Sequence, residues 1–346
     1  MKRSICLLLL LQILRCTTSV AQAPEFTNIF SRLQQYPALE VAIETDLKQL
    51  KSAGENPEWQ PGVLKIIKAG AVDYEQKIQI KSRGHMRKKT CDFPPVKIRF
   101  FEGDLANDSL EDVNELKLVV ACRNSDVDDQ LVMKECLVYQ LYNLITDESF
   151  RVKPAKVHFE SPGKSRKSME STAFFIESEK ELASRLGGRP LKPRIISPTA
   201  MDSVAYDRMC LFQFMIGNTD WGAYTRHNMK VVAIKGRQPI AVPYDFDYAG
   251  LVEADYAIPS PDIPIQNVRD RYYLGLCRST EHYNRLFKAF LAKQDEILAR
   301  CEQETSLTKT SRLSMRQYLE EFFKILQDSR RTQFAILENC DKRLKK

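Results

Sequence analysis

The stretch Gly217-Asn218-Thr219-Asp220-Trp221 follows Ala200–Ile216, whose apolar residues have the spacing of a helix. His227 and Asn228 come shortly afterwards, and Pro243-Tyr244-Asp245-Phe246-Asp247 follows two predicted strands. An aspartate after a helix, an asparagine downstream and acidic residues at a strand end form the order that phosphoryl transfer from a metal-bound nucleotide requires. We therefore expect these residues to lie together in one site.

The polar residues of this stretch are suited to separate tasks. Asp220 is predicted to accept or orient the proton of an attacking hydroxyl group. Asn228 and Asp245 are predicted to bind Mg²⁺ or Mn²⁺ through their hard oxygen atoms, assisted by Asp247, which strand alternation places on the same side as Asp245. The alternative is that they are solvated residues of turns, since Gly217, Asn218 and Asp220 all favour turns.

A phosphate site also needs a cation and a carboxylate that positions it. Lys97 alternates with apolar residues in the predicted strand Val96–Phe101. Glu135 shares a helix face with apolar residues, and a carboxylate in such a position usually has a partner. We predict that Lys97 is this partner, with Arg99 as the alternative cation.

A basic turn is the second candidate for contact with phosphates. The chain lacks a Gly-x-Gly-x-x-Gly loop, but Lys81-Ser82-Arg83-Gly84-His85-Met86-Arg87-Lys88-Lys89 links two predicted strands. Arg83 and Arg87 are the first choices within it for holding phosphate groups. The alternative is a solvated basic hairpin without a ligand.

The pattern along the chain predicts an α+β fold with two lobes. A β-rich N-lobe over residues 22–177 precedes a mainly helical C-lobe over residues 178–346, and the site is expected at the cleft between them. The predicted strands are Pro37–Thr45, Val63–Lys68, Glu75–Arg83, Val96–Phe101, Glu115–Cys122, Val152–Glu160, Thr172–Glu177, Asn228–Ile234 and Pro239–Tyr244. The predicted helices are Glu44–Ala53, Asp129–Thr146, Ala200–Ile216, Glu281–Glu304 and Leu313–Lys342.

The first 21 residues have the features of a secretory signal peptide. A short basic start is followed by an apolar segment, Ile5–Leu14, and by small residues up to Ala21. No later segment reaches about 18 uninterrupted apolar residues, so no transmembrane segment is predicted. We expect an exported protein that is periplasmic, at the cell surface or secreted.

Charge and cysteine content restrict the function further. Removal of the predicted signal lowers the formal net charge from +7 to +4, because three of the 52 Lys and Arg residues lie within it. This modest excess does not favour nucleic acid as a partner. Seven of the nine cysteines remain, and an odd number leaves at least one free or paired with another molecule. Cys122, Cys136 and Cys210 lie in apolar sequence and are predicted to be core residues.

These residues together resemble the CotH-type secreted kinases, an atypical branch of the protein-kinase-like fold. The similarity covers roughly residues 60–300 and begins with Arg83-Gly84 on a hairpin before the strand that carries Lys97. It continues through the helix Asp129–Thr146 and Phe175-Ile176-Glu177, which corresponds to the segment that joins the lobes. The resemblance implies the following roles: Asp220 as catalytic base, Asn228 and Asp245 as metal ligands, and Glu177 at the nucleotide.

The resemblance implies an exported kinase that transfers the γ-phosphoryl group of ATP to a protein hydroxyl or to itself, with Mg²⁺ or Mn²⁺ as cofactor. The acceptor protein is not implied. Two alternatives stay open: a catalytically silent binding module that keeps the fold, and a transferase on the same fold that attaches AMP.

Overall fold

The structure is a computed structural model and describes residues 28–52, 56–84, 91–100, 115–163 and 168–340. Within these ranges the chain is a mixed α+β protein with a β-rich first part and a mainly helical second part. The predicted signal peptide and Arg87 lie outside the described residues. Among the helices that the structure describes, none has the length and apolar character needed to span a bilayer.

The β-rich part is a closed barrel in the order β1-β2-β3-β4-β5-β7-β6. All neighbouring strands are antiparallel except β1 and β6, whose parallel pairing sets Val41 opposite Val157 and closes the barrel. The sequence predicts the antiparallel strands but not the closure, because the pairing of β1 with β6 joins distant segments. The strands are β1 (Glu40–Thr45), β2 (Gln60–Lys68), β3 (Ala71–Ser82), β4 (Val96–Phe100), β5 (Glu115–Val120), β6 (Val152–Glu160) and β7 (Ser168–Ile176).

Side-chain alternation gives the barrel an apolar interior and a basic outer face. Ile80, Ile98 and Leu116 are fully buried in the barrel core. Because successive side chains of a strand point to opposite faces, Lys97 and Lys117 lie on the outside. The outer face of β5 therefore carries a lysine beside Val119, which belongs to a second core shared with the helical part.

The first long helix, α3 (Asp126–Ile145), connects the two cores. Ser125 caps its N-terminus by accepting a hydrogen bond from the main-chain N–H of Asp128, and three aspartates in the first turn favour the positive end of the helix dipole. The helix contacts β6 and β7 of the barrel and the helix Gln294–Gln303 of the helical part. Two short helices, α1 (Ile29–Gln34) and α2 (Leu47–Ser52), flank β1.

The helical part surrounds a small sheet with the strand order β10-β9-β8. The prediction of one helix over residues 281–304 is wrong, because a break at Ala292 and Lys293 separates α6 from α7. The helix predicted to reach residue 342 ends at Gln327. The elements are α4 (Glu179–Arg185), β8 (Gly188–Leu191), α5 (Ser203–Ile216), β9 (Met229–Ile234), β10 (Ile240–Pro243), α6 (Thr280–Leu291), α7 (Gln294–Gln303), α8 (Lys309–Gln327) and α9 (Ser329–Thr332).

Four cysteines form two disulfides, Cys91–Cys122 and Cys277–Cys340. Cys122 is buried in the core as predicted, and it is also bonded to Cys91. Its main-chain carbonyl accepts the N–H of Phe93, which brings the segment before β4 against the end of β5. The free cysteines of the described ranges are buried: Cys136, Cys210 and Cys301.

Candidate active site

The loop that carries Asp220 is fixed to the end of α5. Gly217 ends this helix in the left-handed conformation with φ of 65°, and a Cβ atom at this position would lie 2.0 Å from the hydroxyl of Tyr318. The side chain of Asn218 donates to Gln213 Oε1 at 3.0 Å and accepts the N–H of Asp220 at 3.0 Å. The turn geometry considered as an alternative is therefore present, and it orients Asp220.

The side chain of Asn228 binds Asp220 across the intervening loop. Its Nδ2 donates to the main-chain oxygen of Asp220 at 2.8 Å and to its Oδ2 at 2.9 Å. The other carboxylate oxygen, Oδ1, lies 2.9 Å from Nε2 of His227, whose side chain is 57% exposed. An ionised carboxylate only accepts, so His227 donates here. Both oxygens of Asp220 thus have fixed directions, and Oδ1 of Asn228 is left for another partner.

The loop between these residues closes on itself. Gly222 and His227 exchange main-chain hydrogen bonds of 3.1 and 2.9 Å, so the segment between them forms a small hairpin. Trp221 is buried, and its ring lies beside that of Tyr206. Asn228 has a positive φ of 49°. The eight-residue separation of Asp220 and Asn228 is therefore compatible with direct contact.

Asp245 is brought to Asn228 by the pairing of β9 with β10. Met229 lies opposite Pro243, and the N–H of Tyr244 donates to the main-chain oxygen of Asn228 at 3.1 Å. The N–H of Asp245 donates to the hydroxyl of Tyr139 on α3 at 2.9 Å. Asn228 and Asp245 are consequently held at the same end of the small sheet.

Asp245 and Asp247 do not continue the strand β10, contrary to the prediction. β10 ends at Pro243, and Asp245 has a positive φ of 67°, a conformation that bulky residues adopt only when the surroundings hold them. Phe246 is fully buried, 4.7 Å from Tyr139 between ring centroids. Asp247 is also buried and accepts a hydrogen bond from Tyr256 at 3.2 Å. Because Asp245 and Asp247 lie beyond the end of the strand, strand alternation does not place their carboxylates on the same side.

The donor atoms of Asn228 and Asp245 fit a hard divalent cation. The carboxylate of Asp245 makes no hydrogen bond or ion pair with any described residue, and Oδ1 of Asn228 is likewise uncommitted. Amide and carboxylate oxygens are the ligands that Mg²⁺ prefers, with water and phosphate oxygens completing its shell. The described residues contain no cluster of three or more His, Cys, Asp or Glu side chains arranged for a metal. A cation here would therefore rely on its substrate for several ligands.

The predicted ion pair between Lys97 and Glu135 is wrong. Lys97 pairs with Glu115 on the neighbouring strand, and Arg99 binds the same carboxylate at 2.6 Å. Burial opposes ionisation of Glu115, but its bonds to Lys97 and Arg99 outweigh this and lower its pKa. Glu135 lies on α3 with 1% of its surface exposed, one turn before Tyr139.

Lys117 is the lysine that the structure places at the site, and the sequence analysis missed it. It lies directly opposite Lys97 in the pairing of β4 with β5, and its Nζ is 4.6 Å from the ring centroid of Tyr244. Burial, followed by repulsion from Arg83 and Lys230, lowers the pKa of Lys117 to about 7. The sequence feature that could have identified Lys117 is its alternation with Leu116 and Leu118, in the strand just before the helix that carries Glu135.

Two arginines near Tyr244 have unsatisfied donors. The Nε atoms of Arg83 and Arg226 are buried, and neither has a hydrogen-bond partner within the described structure. Burial and then the charge of Asp245 raise the pKa of Tyr244 to about 12, whereas both arginines act in the opposite direction. Lys230 lies 4.8 Å from the same ring. Lys230 is paired with Glu179 at 3.7 Å, so Lys117, Arg83 and Arg226 supply the positive charge near Tyr244 and Asp245 that would suit an anion.

Glu177 is committed to the junction between the barrel and the helical part. Arg185 donates to both of its oxygens at 2.9 Å, and the N–H of Arg151 donates to Oε2 at 3.0 Å. This buried carboxylate therefore stabilises the junction through Arg185. Its predicted contact with the nucleotide would require it to share these oxygens.

Comparisons with known proteins leave the family open. No protein-family model matches the chain, and no curated protein matches it. Among solved structures, the crystal structure of the Helicobacter pylori proinflammatory kinase CtkA has a TM-score of 0.36 and 7% sequence identity, over 69% of this chain and 95% of that chain. The similarity is a weak one to a kinase structure.

Proposed function

We propose that this chain is a metal-dependent phosphotransferase with a protein-kinase-like arrangement of its site. It transfers the terminal phosphoryl group of ATP to a hydroxyl group of a protein or of the chain itself. The observation that carries the proposal is the double hydrogen bond from the Asn228 amide to Asp220, which joins the candidate base and a candidate metal ligand in one unit. The pairing of β9 with β10 adds Asp245 to this unit.

The geometry supports different roles for the acidic and amide residues of the proposed transfer site. Asp220, oriented by Asn228 and His227, would accept the proton of the attacking hydroxyl group. Oδ1 of Asn228 and the carboxylate of Asp245 would hold Mg²⁺ or Mn²⁺, which neutralises charge on the phosphates. Asp247 is proposed only to assist, because it already binds Tyr256.

The phosphate side of the proposed site comes from the barrel. Lys117 reaches Tyr244 from β5, and the buried Nε of Arg83 supplies a donor without a partner among the described residues. A guanidinium group and an ammonium group together suit a phosphate chain. Glu135 remains the proposed carboxylate on this side, and Lys97 is proposed to contact phosphate from the outer face of β4.

Export and the CotH-type resemblance are parts of the same proposal. Residues 1–21 have the pattern of a signal peptide, and two disulfides within the described residues support an oxidising compartment. A CotH-like kinase that acts outside the cytoplasm would combine both features. The acceptor protein is left open.

The test is a labelling experiment with the chain that begins at Gln22. The protein is incubated with Mg²⁺ or Mn²⁺ and ATP labelled at either the α or the γ phosphate, with general protein acceptors present. Asp220→Asn and Asn228→Ala are the informative variants. Asp295→Asn, an exposed aspartate of α7, is the matched control.

We expect transfer of the γ label by the wild type and the Asp295→Asn control, and a loss of at least a hundredfold in the other two variants. Transfer of the α label would indicate AMP addition instead. Metal-dependent binding of ATP without transfer of either label would favour the silent binding module and reject the kinase proposal.

A further inference from the structure

A row of lysines crosses the outer face of the barrel and ends at the candidate active site. Lys81 of β3 lies directly opposite Lys97 of β4, and Lys97 lies directly opposite Lys117 of β5. Trp59 extends the row, because it immediately precedes Gln60 of β2 and its ring centroid is 4.5 Å from the amine of Lys81. Three consecutive strands and the residue that precedes β2 thus present one continuous line of side chains.

This arrangement is unfavourable without a bound anion. Like charges directly opposite each other on neighbouring strands destabilise a sheet. Glu115 compensates Lys97 and Arg99, but within the described ranges neither Lys81 nor Lys117 forms an ion pair with a carboxylate. The two ends of the row, Lys81 and Lys117, therefore lack a carboxylate partner in the part of the chain that the structure describes.

The two ends of the row have different surroundings. Lys117 is half-buried, and its amine lies against the ring of Tyr244, the residue before Asp245. At the other end, Trp59 contacts Lys81 and also the guanidinium of Arg99, 4.2 Å from its ring centroid. Such contacts between a cation and an aromatic ring hold the cations in place. Two strand spacings separate Lys81 from Lys117, which is about 10 Å.

We propose that this row binds a linear chain of linked phosphate groups, which runs from Lys117 at the transfer site along Lys97 to Lys81. The inference rests on the proposed function and specifies its donor. Recognition depends on the number of linked phosphates, and Trp59 acts as a positioning residue that holds Lys81 and Arg99. The shared chemistry is found in nucleoside triphosphates and in inorganic polyphosphate.

Binding measured by titration calorimetry tests the inference separately from catalysis. The ligands are adenosine, AMP, ADP, ATP, tripolyphosphate and a longer inorganic polyphosphate, each with Mg²⁺. The variants are Lys81→Gln and Lys97→Gln, with Lys77→Gln as matched control, because Lys77 is an exposed lysine of the same strand and face as Lys81.

We expect affinity to rise with the number of phosphates and tripolyphosphate to bind within about threefold of ATP. Lys81→Gln and Lys97→Gln should each weaken tripolyphosphate binding by about tenfold, the effect of one lost charge-assisted hydrogen bond, whereas Lys77→Gln should not. Tighter binding of the longer chain than of ATP would identify inorganic polyphosphate as the better ligand.

Three results would overturn the inference: adenosine that binds as tightly as ATP, variants at Lys81 and Lys97 that behave like Lys77→Gln, or no binding of any phosphate chain. Failure of the kinase proposal has a different signature. A protein that binds tripolyphosphate through Lys81 and Lys97 but transfers no label would keep the phosphate row and lose the enzymatic function. If Lys81→Gln and Lys97→Gln both transfer the γ label normally and with an unchanged KM for ATP, the kinase proposal stands and the phosphate row is rejected.

Discussion

Replacement of Lys117 by methionine should make the protein more stable and abolish its proposed activity. Lys117 is half-buried on the outer face of β5, and desolvation of its amine, followed by repulsion from Arg83 and Lys230, lowers its pKa from 10.5 to about 7. A lysine whose pKa is lowered in the folded state is charged there at a free-energy cost. Methionine has a similar length and carries no charge, so it removes this cost.

The size and the pH dependence of the effect follow from the pKa. A fall of the pKa from 10.5 to about 7 corresponds to roughly 5 kcal/mol of destabilisation at pH 7 and below. Between these pH values the unfolded chain binds the proton and the folded chain does not, so stability rises with pH. The penalty is therefore full below pH 7 and disappears as the pH approaches 10.5.

Urea unfolding of the wild type, Lys117→Met and the exposed control Lys68→Met at several pH values between 6 and 10 measures this. We expect the free energy of unfolding of Lys117→Met to exceed that of the wild type by up to about 5 kcal/mol at pH 6–7, with the difference shrinking towards pH 10. Lys68→Met should follow the wild type throughout. A Lys117→Met protein that is no more stable at pH 6–7, or whose advantage does not change with pH, would refute the argument. Retained transfer of label would refute the assignment of Lys117 to the site.

Three further predictions concern stability. Asp207 is fully buried and accepts hydrogen bonds from Arg278 at 2.7 and 3.1 Å. Asp207→Ala should therefore lower the free energy of unfolding by about 3–5 kcal/mol in urea titrations. A loss below about 1 kcal/mol would contradict a buried ion pair. Phe246→Ala should cost about 3–5 kcal/mol in the same assay, whereas Phe246→Leu should cost clearly less. Replacing Cys91 and Cys122 by serine should lower stability by about 3–4 kcal/mol, because the bond closes a segment of 31 residues. After reduction, which also opens Cys277–Cys340 in both proteins, the wild type and the variant should have the same stability.

The parts of the fold that depend on local sequence could be predicted. Strands such as β4 and the helix α3 follow from residue periodicity, and their observed limits are close to the predicted ones. The structure also brings Asp220, Asn228 and Asp245 together, because one closed loop and one hairpin separate them. Contacts over such short separations are encoded by turn residues and strand pairing. Their catalytic and metal-binding roles stay predictions.

The choice between Lys97 and Lys117 could not be made from the sequence. Both lysines alternate with apolar residues in a strand, so the local pattern gives them the same orientation. What separates them is which strand the helical part covers, and this depends on contacts such as that between Lys117 and Tyr244 across more than a hundred residues. Glu115 adds a competing partner for Lys97 that periodicity does not reveal.

The proposed site depends on α3 as much as on the residues that would carry the chemistry. Tyr139 of this helix accepts the N–H of Asp245, and the same ring contacts Phe246, so the helix fixes the metal side of the site. Lys117, on the strand just before α3, fixes the phosphate side through Tyr244. Because strand and helix are consecutive in the chain, a displacement of α3 would move both sides together. The position of Lys117 relative to Asp245 is therefore set mainly by one connected segment, so the proposed phosphate and metal sides of the site would keep their separation.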